Sequence, residues 1–276
     1  MLKIILFSPK GYVGSYIKKR LDNEEGIELL EITRESNLDE IEGSYDLLIY
    51  SASVTSARNA DAGKYIRDNA LCAVMMVEFC RKHQVKRIIY LSSDEIYGQL
   101  CTDQVTDKTV MCSPNIYAAT KYLAEKVIME SGICYFILRL PGIVGRRWGN
   151  CFLYRLIDAV SRNEKVFVYN ADKDFNNVVD IDDLVDFIVT LAYRSGCMET
   201  EIFLLGNADR ISLIELVNYI KQIYCSSSEI VCMKASGNRY FTLNVEKAVN
   251  YGYRSKNIKK IIHELSVCKR GRANEE

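Results

Sequence analysis

Residues 2–21, LKIILFSPKGYVGSYIKKRL, decide how this chain begins to fold. Lys3 to Phe7 is a run of β-branched and aromatic residues that breaks at Ser8-Pro9-Lys10-Gly11, after which apolar residues recur at 13, 17 and 21. A spacing of four marks one face of a helix, so the stretch predicts strand, tight turn, helix. Gly11 and Gly14 open that helix, where the backbone comes close to its neighbours and the first N–H groups have no partner within the helix. A pyrophosphate suits such a turn. Taken alone, however, two glycines three apart at a strand–helix junction are equally explained by tight packing.

Working outward, strands are expected at about 27–33, 45–52, 87–92 and 135–140, with helices at about 63–82 and 115–130. Strands and helices in alternation imply parallel strands joined by crossovers, hence an α/β fold with a doubly wound parallel sheet. After Gly145 the rhythm changes to shorter, mixed elements. The expected division is a dinucleotide-binding domain at 1–145 with the helix at about 181–194, and a smaller mixed α/β C-terminal substrate lobe at 146–180 and 195–268. Residues 269–276 read as a frayed tail.

At 276 residues the chain is long enough for two domains, and 49% hydrophobic with 26% charged residues and three prolines excludes disorder and fibres. Lysine plus arginine and aspartate plus glutamate both number 36, so no net field draws the protein to nucleic acid or an anionic membrane. The ten cysteines include no C-x-x-C pair and no histidines at ligand spacing, so no metal site is expected and the thiols read as small hydrophobes. No stretch nears the ~18 apolar residues of a membrane span, and the opening apolar run is too short for a signal-peptide core, which points to the cytoplasm. Residues 71–80, LCAVMMVEFC, are apolar nearly all round, more than one sheet face requires, so a neighbouring subunit is the expected cover.

Ser92-Ser93-Asp94-Glu95-Ile96-Tyr97-Gly98 follows a strand, which places its hydroxyls at the carboxyl end of the sheet, where open α/β proteins hold ligands. A serine-rich turn that caps the next segment is the plain alternative. Tyr117 and Lys121 stand one helical turn apart, but so do Tyr122 and Lys126, and Tyr169 and Lys173. Placement separates them: Tyr117 lies in the first turn of a helix introduced by Ser113-Pro114-Asn115, and Tyr122 is about 140° further round. A phenol with an ordinary pKa near ~10 needs a close cation to work as an acid–base group near neutrality. His83 and His263 are isolated helix-end or surface residues with no assigned role, and Trp148 belongs either to a substrate mouth or to the core.

Taken together, the glycine turn, VKRIIYLSSDEIYG (85–98) and SPNIYAATKYLAEK (113–126) resemble the extended short-chain dehydrogenase/reductase family of nucleotide-sugar epimerases, dehydratases and reductases. Similar stretches at 46–53, 138–145, 178–183 and 203–206 follow in the family's order. The resemblance implies a Rossmann-type sheet, with Tyr117 as proton donor or acceptor, Lys121 as the ribose-binding cation and Ser93 orienting the substrate oxygen. It further implies that the cofactor is held by Ser8, Lys10, Gly11, Tyr12, Val13 and Gly14 at the pyrophosphate and by Thr33 and Arg34 beside the adenosine ribose. Ala52 and Ser53 would line the adenosine side, Leu140, Pro141, Gly142 and Ile143 the nicotinamide, and Asn69 and Ser92 would complete the set. Ser93, Asp94, Asn150 and Asn176 would meet a nucleotide-sugar substrate, and the 71–80 and Tyr117 helices would build a four-helix homodimer interface.

Four departures from the family pattern carry information. Ser8 replaces the first loop glycine, beside Pro9. Thr33-Arg34 stands where an acidic residue would bind the ribose 2′-hydroxyl, which favours NADP(H) over NAD(H). Gly142 and Asn176 replace a family asparagine and arginine, and the chain is short for the family, so the sugar lobe is expected to be reduced. Ser93-Asp94-Glu95 resembles the 4,6-dehydratases, where this acid–glutamate pair protonates a leaving hydroxyl and removes a proton. Reduction of a 4-keto sugar is the favoured reading, ahead of 4-epimerisation and 4,6-dehydration; a non-enzymatic dinucleotide sensor or scaffold is the reading of another class.

Overall fold

The computed structural model describes residues 1–100, 102–147, 149–194, 199–233 and 240–273. In chain order the elements are β1 Leu2–Phe7, α1 Tyr12–Leu21, β2 Ile27–Ile32, β3 Leu47–Tyr50, α2 Ala62–Tyr65, α3 Cys72–Lys82, β4 Arg87–Ser93, β5 Gln104–Val105, α4 Ile116–Met129, β6 Cys134–Leu140, β7 Gly142–Val144 and α5 Phe152–Ser161. They continue with β8 Val166–Tyr169, β9 Asp174–Phe175, β10 Val178–Asp180, α6 Ile181–Ala192, β11 Glu201–Leu204, β12 Ile211–Ser212, α7 Leu213–Tyr224, β13 Ile230–Met233, β14 Thr242–Leu243, α8 Glu246–Asn250 and α9 Ile258–Ala273.

The first unit holds a six-stranded parallel sheet in the order β11-β6-β4-β3-β1-β2. Every residue of β3 and β4 is buried, as expected of strands covered by helices on both faces. The strand order reverses between β1 and β3, and the crevice outside the carboxyl ends at such a switch point is where open α/β sheets take ligands. On one face Cys72, Ala73, Met76, Phe79 and Cys80 of α3 pack with Tyr50, Ile88 and Ile137. Between α2 and α3 the helix passes through a π-helical segment, Ile66–Leu71, which carries the buried Asp68 and Asn69.

In the second unit the short strands pair two by two: β7 with β10, β8 with β13 and β5 with β14 in parallel, and β9 with β12 antiparallel. Their core gathers Leu153 and Ile157 of α5, Leu216 and Ile220 of α7, and Ile261 and Leu265 of α9.

The expected domain limits need correction. The units are Met1–Gln99, Val110–Leu140 and Leu184–Leu204 against Leu100–Thr109, Pro141–Asp183 and Leu205–Glu276. The range 195–268 expected in the lobe includes β11, which pairs with β6 at Phe203 and Leu138 and so becomes the sixth strand of the main sheet. Leu100–Thr109 leaves the first unit because β5 pairs with β14, more than a hundred residues away. The expected frayed tail is helical as far as Ala273. His83 does end α3, but it is buried, with its ring 4.3 Å from that of Phe79 and Nδ1 3.0 Å from the Gly43 carbonyl. Of the described cysteines, all free thiols, only Cys72 and Cys80 are buried. Trp148 lies outside the described residues, and among those described no helix is long and apolar enough to cross a membrane and no group of side chains could hold a metal.

Candidate active site

The glycine turn is shaped by contact rather than by composition. Ser8 takes φ +74°, the left-handed region that a first loop glycine would occupy freely, and its N–H bonds the Ile32 carbonyl at 2.8 Å. A Cβ on Gly14 would lie 2.0 Å from the Ser8 carbonyl oxygen, so no other residue fits there. At Gly11 an added Cβ would press on Ser8 at 3.2 Å. Ser51 closes the turn from β3, its hydroxyl donating to the Phe7 carbonyl at 2.8 Å. Gly11 is the N-cap of α1 and no side chain caps it, so the helix presents an amide end suited to a phosphate. At both glycines a side chain would collide with Ser8 within the turn itself, so tight packing accounts for them, and the uncapped amide end of α1 is the feature that suits a pyrophosphate.

Beyond β2, Thr33 and Arg34 border a cavity of about 530 Å3 whose wall includes Phe7, Asp68, Cys72 and Met76. Arg34 Nη2 donates to the Asp68 carbonyl at 3.3 Å. Burial works to raise the Asp68 carboxyl, but Lys64 at 2.9 Å, Arg34 and Arg67 outweigh it and hold the group below the usual range. Asp39, Asp68 and Glu78 also line this cavity, so Arg34 shares it with three carboxylates.

Tyr117 sits in the first turn of α4 because the Asn115 side chain caps the helix, accepting from Ala118 N–H at 2.8 Å. Its phenol is buried, the side chains of Ser93 and Ser53 act on it, and its ring lies 5.8 Å from that of Tyr65. Burial pushes the phenol up to about 12; the two serines pull the other way, and the Glu95 and Asp94 charges add to the rise. Lys121 is buried at 1% exposure, donates to the Leu91 carbonyl at 2.6 Å and lies 4.1 Å from the Tyr90 ring centroid. Burial pulls the ammonium down to about 7, with Glu125 opposing. In this geometry the lysine donates to the Leu91 carbonyl, and burial is the largest influence on the phenol. The rival pairs lie outside the site, with Lys126 paired to Glu130 and Lys173 to Asp103.

Asp94 is partly covered, and burial, aided by Glu95, pushes its carboxyl up to about 7. Glu95 is exposed and accepts from Ser56 Oγ at 2.6 Å and Asn115 Nδ2 at 3.2 Å, tying the β3 loop to the start of α4. Ser92 is corrected from a cofactor contact to a buried support: successive strand residues point in different directions, and its hydroxyl goes to Glu125 while Ser93 reaches Tyr117. Asn69, also expected at the cofactor, spends its amide on the loop: Oδ1 accepts from Val54 N–H at 2.8 Å, and Nδ2 donates to Val54 O at 3.0 Å and Thr120 Oγ1 at 3.4 Å. Lys10 is exposed, Tyr12 and Val13 are half-buried beside Gly11, Ala52 is buried before Ser53, and Leu140 pairs with Ser93 at the end of β6.

Within the second unit, Pro141 is buried, Gly142 and Ile143 form β7, and Asn150 is exposed ahead of α5. Asn176 is not a substrate contact. It is 1% exposed, and its amide accepts from Leu243 N–H at 2.9 Å and donates to the carbonyls of Leu243 at 2.9 Å and Asn207 at 3.2 Å. Ser56, Asn115 and Glu125 join the site's surroundings without having been singled out in the sequence; only the capping position of Asn115 left a local sign.

Sheet order, glycine turn and tyrosine–serine pair define a Rossmann-type protein of the short-chain dehydrogenase kind. A sequence model of the NAD dependent epimerase/dehydratase family matches residues 9–206, and the chain belongs to that family. The dTDP-D-glucose 4,6-dehydratase of Dictyostelium discoideum is 22% identical over 235 residues, 66% of this chain and 54% of that protein. The chain thus spans about half the length of that curated relative. The UDP-glucuronic acid 4-epimerase of Bacillus cereus, solved with NAD, superposes with a TM-score of 0.79 at 16% identity, covering 98% of this chain and 99% of that one. RMD from Pseudomonas aeruginosa, solved with NADPH, gives 0.78 at 16% identity, covering 99% and 100%. These likenesses bear on the fold alone.

Proposed function

We propose that this protein is a cytoplasmic reductase that uses NADP(H), in preference to NAD(H), to reduce the 4-keto group of a nucleotide-activated sugar. The observation that carries the reading is the buried Tyr117 phenol in the first turn of α4, on which the Ser93 and Ser53 side chains act and which burial holds up to about 12. A phenol that keeps its proton at neutral pH suits reduction, where it must give that proton to the new alkoxide. Ser93 would hold the same substrate oxygen, and Lys121 the ribose beside it. Gly11 to Gly14 would seat the pyrophosphate and Arg34 a 2′-phosphate, a bidentate partner for which a guanidinium is suited. A nicotinamide dinucleotide, when bound, supplies the hydride.

A second reading is supported by Asp94. A carboxyl near 7 can protonate a leaving hydroxyl, so 4,6-dehydration would use the same pocket, with 4-epimerisation as the further alternative there. Incubation of the purified protein with nucleotide-sugars and each cofactor separates them. Net oxidation of NADPH with a 4-keto sugar supports reduction, interconversion without net cofactor change indicates epimerisation, and loss of water indicates dehydration. Tyr117→Phe should lower turnover by about 10²–10⁴-fold while the cofactor still binds; unchanged biochemical output in that variant would point to the sensor or scaffold.

The homodimer belongs to the same reading. Leu71 and Met75 of the 71–80 helix and Leu123 of α4 are 54%, 56% and 52% exposed, an apolar face on two neighbouring helices. A second copy presenting the same face would cover it as a four-helix bundle.

A further inference from the structure

Beneath Ser93 lies a charged network that the chemistry above does not use. Glu125, one helical turn beyond Lys121, is 0% exposed. Its Oε2 accepts from Arg139 Nη2 at 2.8 Å, and its Oε1 accepts from Arg139 Nε at 3.2 Å and from the Ser92 hydroxyl. Arg139, on β6 and 3% exposed, then donates through Nη1 to the Tyr97 hydroxyl at 2.7 Å. Tyr97, fully buried, closes the turn Asp94–Tyr97 that follows Ser93. Ion pairs buried this deeply add little net stability over a well-packed hydrocarbon pair, so cohesion alone does not account for this one. What it does provide is placement: Ser92 and Tyr97 are the two ends of the tract that carries Ser93, Asp94 and Glu95.

Resting on the reading that Tyr117, Ser93 and Lys121 form the reaction centre, we propose that Glu125 is a positioning residue for it. Through Ser92 at one end, and Arg139 and Tyr97 at the other, it fixes the Ser93–Tyr97 tract against α4, and its carboxylate is the counter-charge of the buried Lys121. Among the described residues, Glu125, buried one turn along the same helix, is the carboxylate that acts on Lys121. Tyr117 shares its helix, the Tyr90 ring and Leu91 carbonyl face it from β4, Cys72 of α3 lies against Tyr90, Arg139 is held by Glu125, and Asp94 and Glu95 act on Tyr117. Burial pulls Lys121 down to about 7 and Glu125 works against that.

The test uses the full chain labelled at lysine Cε, with the Lys121 titration followed by NMR in wild type, Glu125→Gln and Tyr97→Phe. Loss of the carboxylate should move the Lys121 midpoint down by about one pH unit. The alkaline limb of the kcat profile should move down with it, with the dissociation constant for NADPH within about threefold of wild type. Tyr97→Phe keeps the ring and all charges, and should lower kcat about tenfold with KM and the Lys121 midpoint unchanged. A folded Glu125→Gln protein with its Lys121 midpoint in place overturns the proposal, as does a pH-independent loss of activity. If Glu125→Gln does not fold, a wild-type kcat in Tyr97→Phe overturns it. The lysine titration needs no substrate, so a shifted midpoint without turnover on any nucleotide-sugar supports the counter-charge role of Glu125 and removes the proposed function instead.

Discussion

Asp94 shows how one side chain separates the two chemistries. With its carboxyl near 7, it carries a proton below neutrality and loses it above, so dehydration driven by Asp94 should slow as pH rises through about 7. Asp94→Asn should abolish water loss yet change ketone reduction by less than about tenfold, which product analysis by mass spectrometry reads directly. A second signature lies in stability. The folded protein holds this proton more tightly than the unfolded chain, whose aspartates titrate near ~4, so stability falls as pH rises from there to about 7. Thermal unfolding across that window should show a smaller fall in Asp94→Asn. At this scale the sequence was informative where local context decided: three Tyr–Lys pairs shared one spacing, and only Tyr117 followed a strand-end serine and a helix cap. The true surroundings of Lys121 and Ser92 were not legible, because they depend on β4 backbone and on Glu125 and Arg139 meeting across elements.

Among the elements, the turn after β1 holds a serine in a left-handed conformation that costs L-residues about 1–2 kcal/mol. Ser8→Gly should therefore raise the thermal midpoint, by a free energy of about 1 kcal/mol, and tighten NADPH binding in a fluorescence titration. The outcome that would reject this account is a less stable protein, for then the serine hydroxyl, not the backbone, would govern the turn. Asn176 makes the opposite lesson. Standing where the family has an arginine, it read as a substrate contact, yet its amide is consumed by Leu243, 67 residues away. Distance along the chain hides such a clamp from any local pattern. Asn176→Ala should cost about 1–3 kcal/mol by leaving the buried Leu243 N–H without its acceptor, with denaturant midpoints falling while KM for the sugar stays near wild type.

For the molecule as a whole, the fold class was legible because β and α segments alternate, and a parallel sheet is what that rhythm permits. The limits of the two units were not, since they are drawn by pairings between distant strands: β11 on β6, and β5 on β14. The apolar 71–80 helix was also legible, including the part that its own core leaves bare. Replacing Met75 and Leu123 together by glutamate should leave a folded monomer, where the proposed bundle would make wild type sediment as a dimer. A monomeric wild type at micromolar concentration would remove the bundle from the proposal.

The π-helical segment Ile66–Leu71 has a consequence of its own. Such a bulge accommodates one residue more than an α turn, so it acts as a frameshift in the winding of the rod. Excising a single codon there would return the helix to ordinary winding with its two flanks still in phase, and would remove the local bulge that brings Asn69 to Val54. Residue count, more than residue type, aims that amide, and a deletion in this stretch should be worse tolerated than any exchange of one side chain for another.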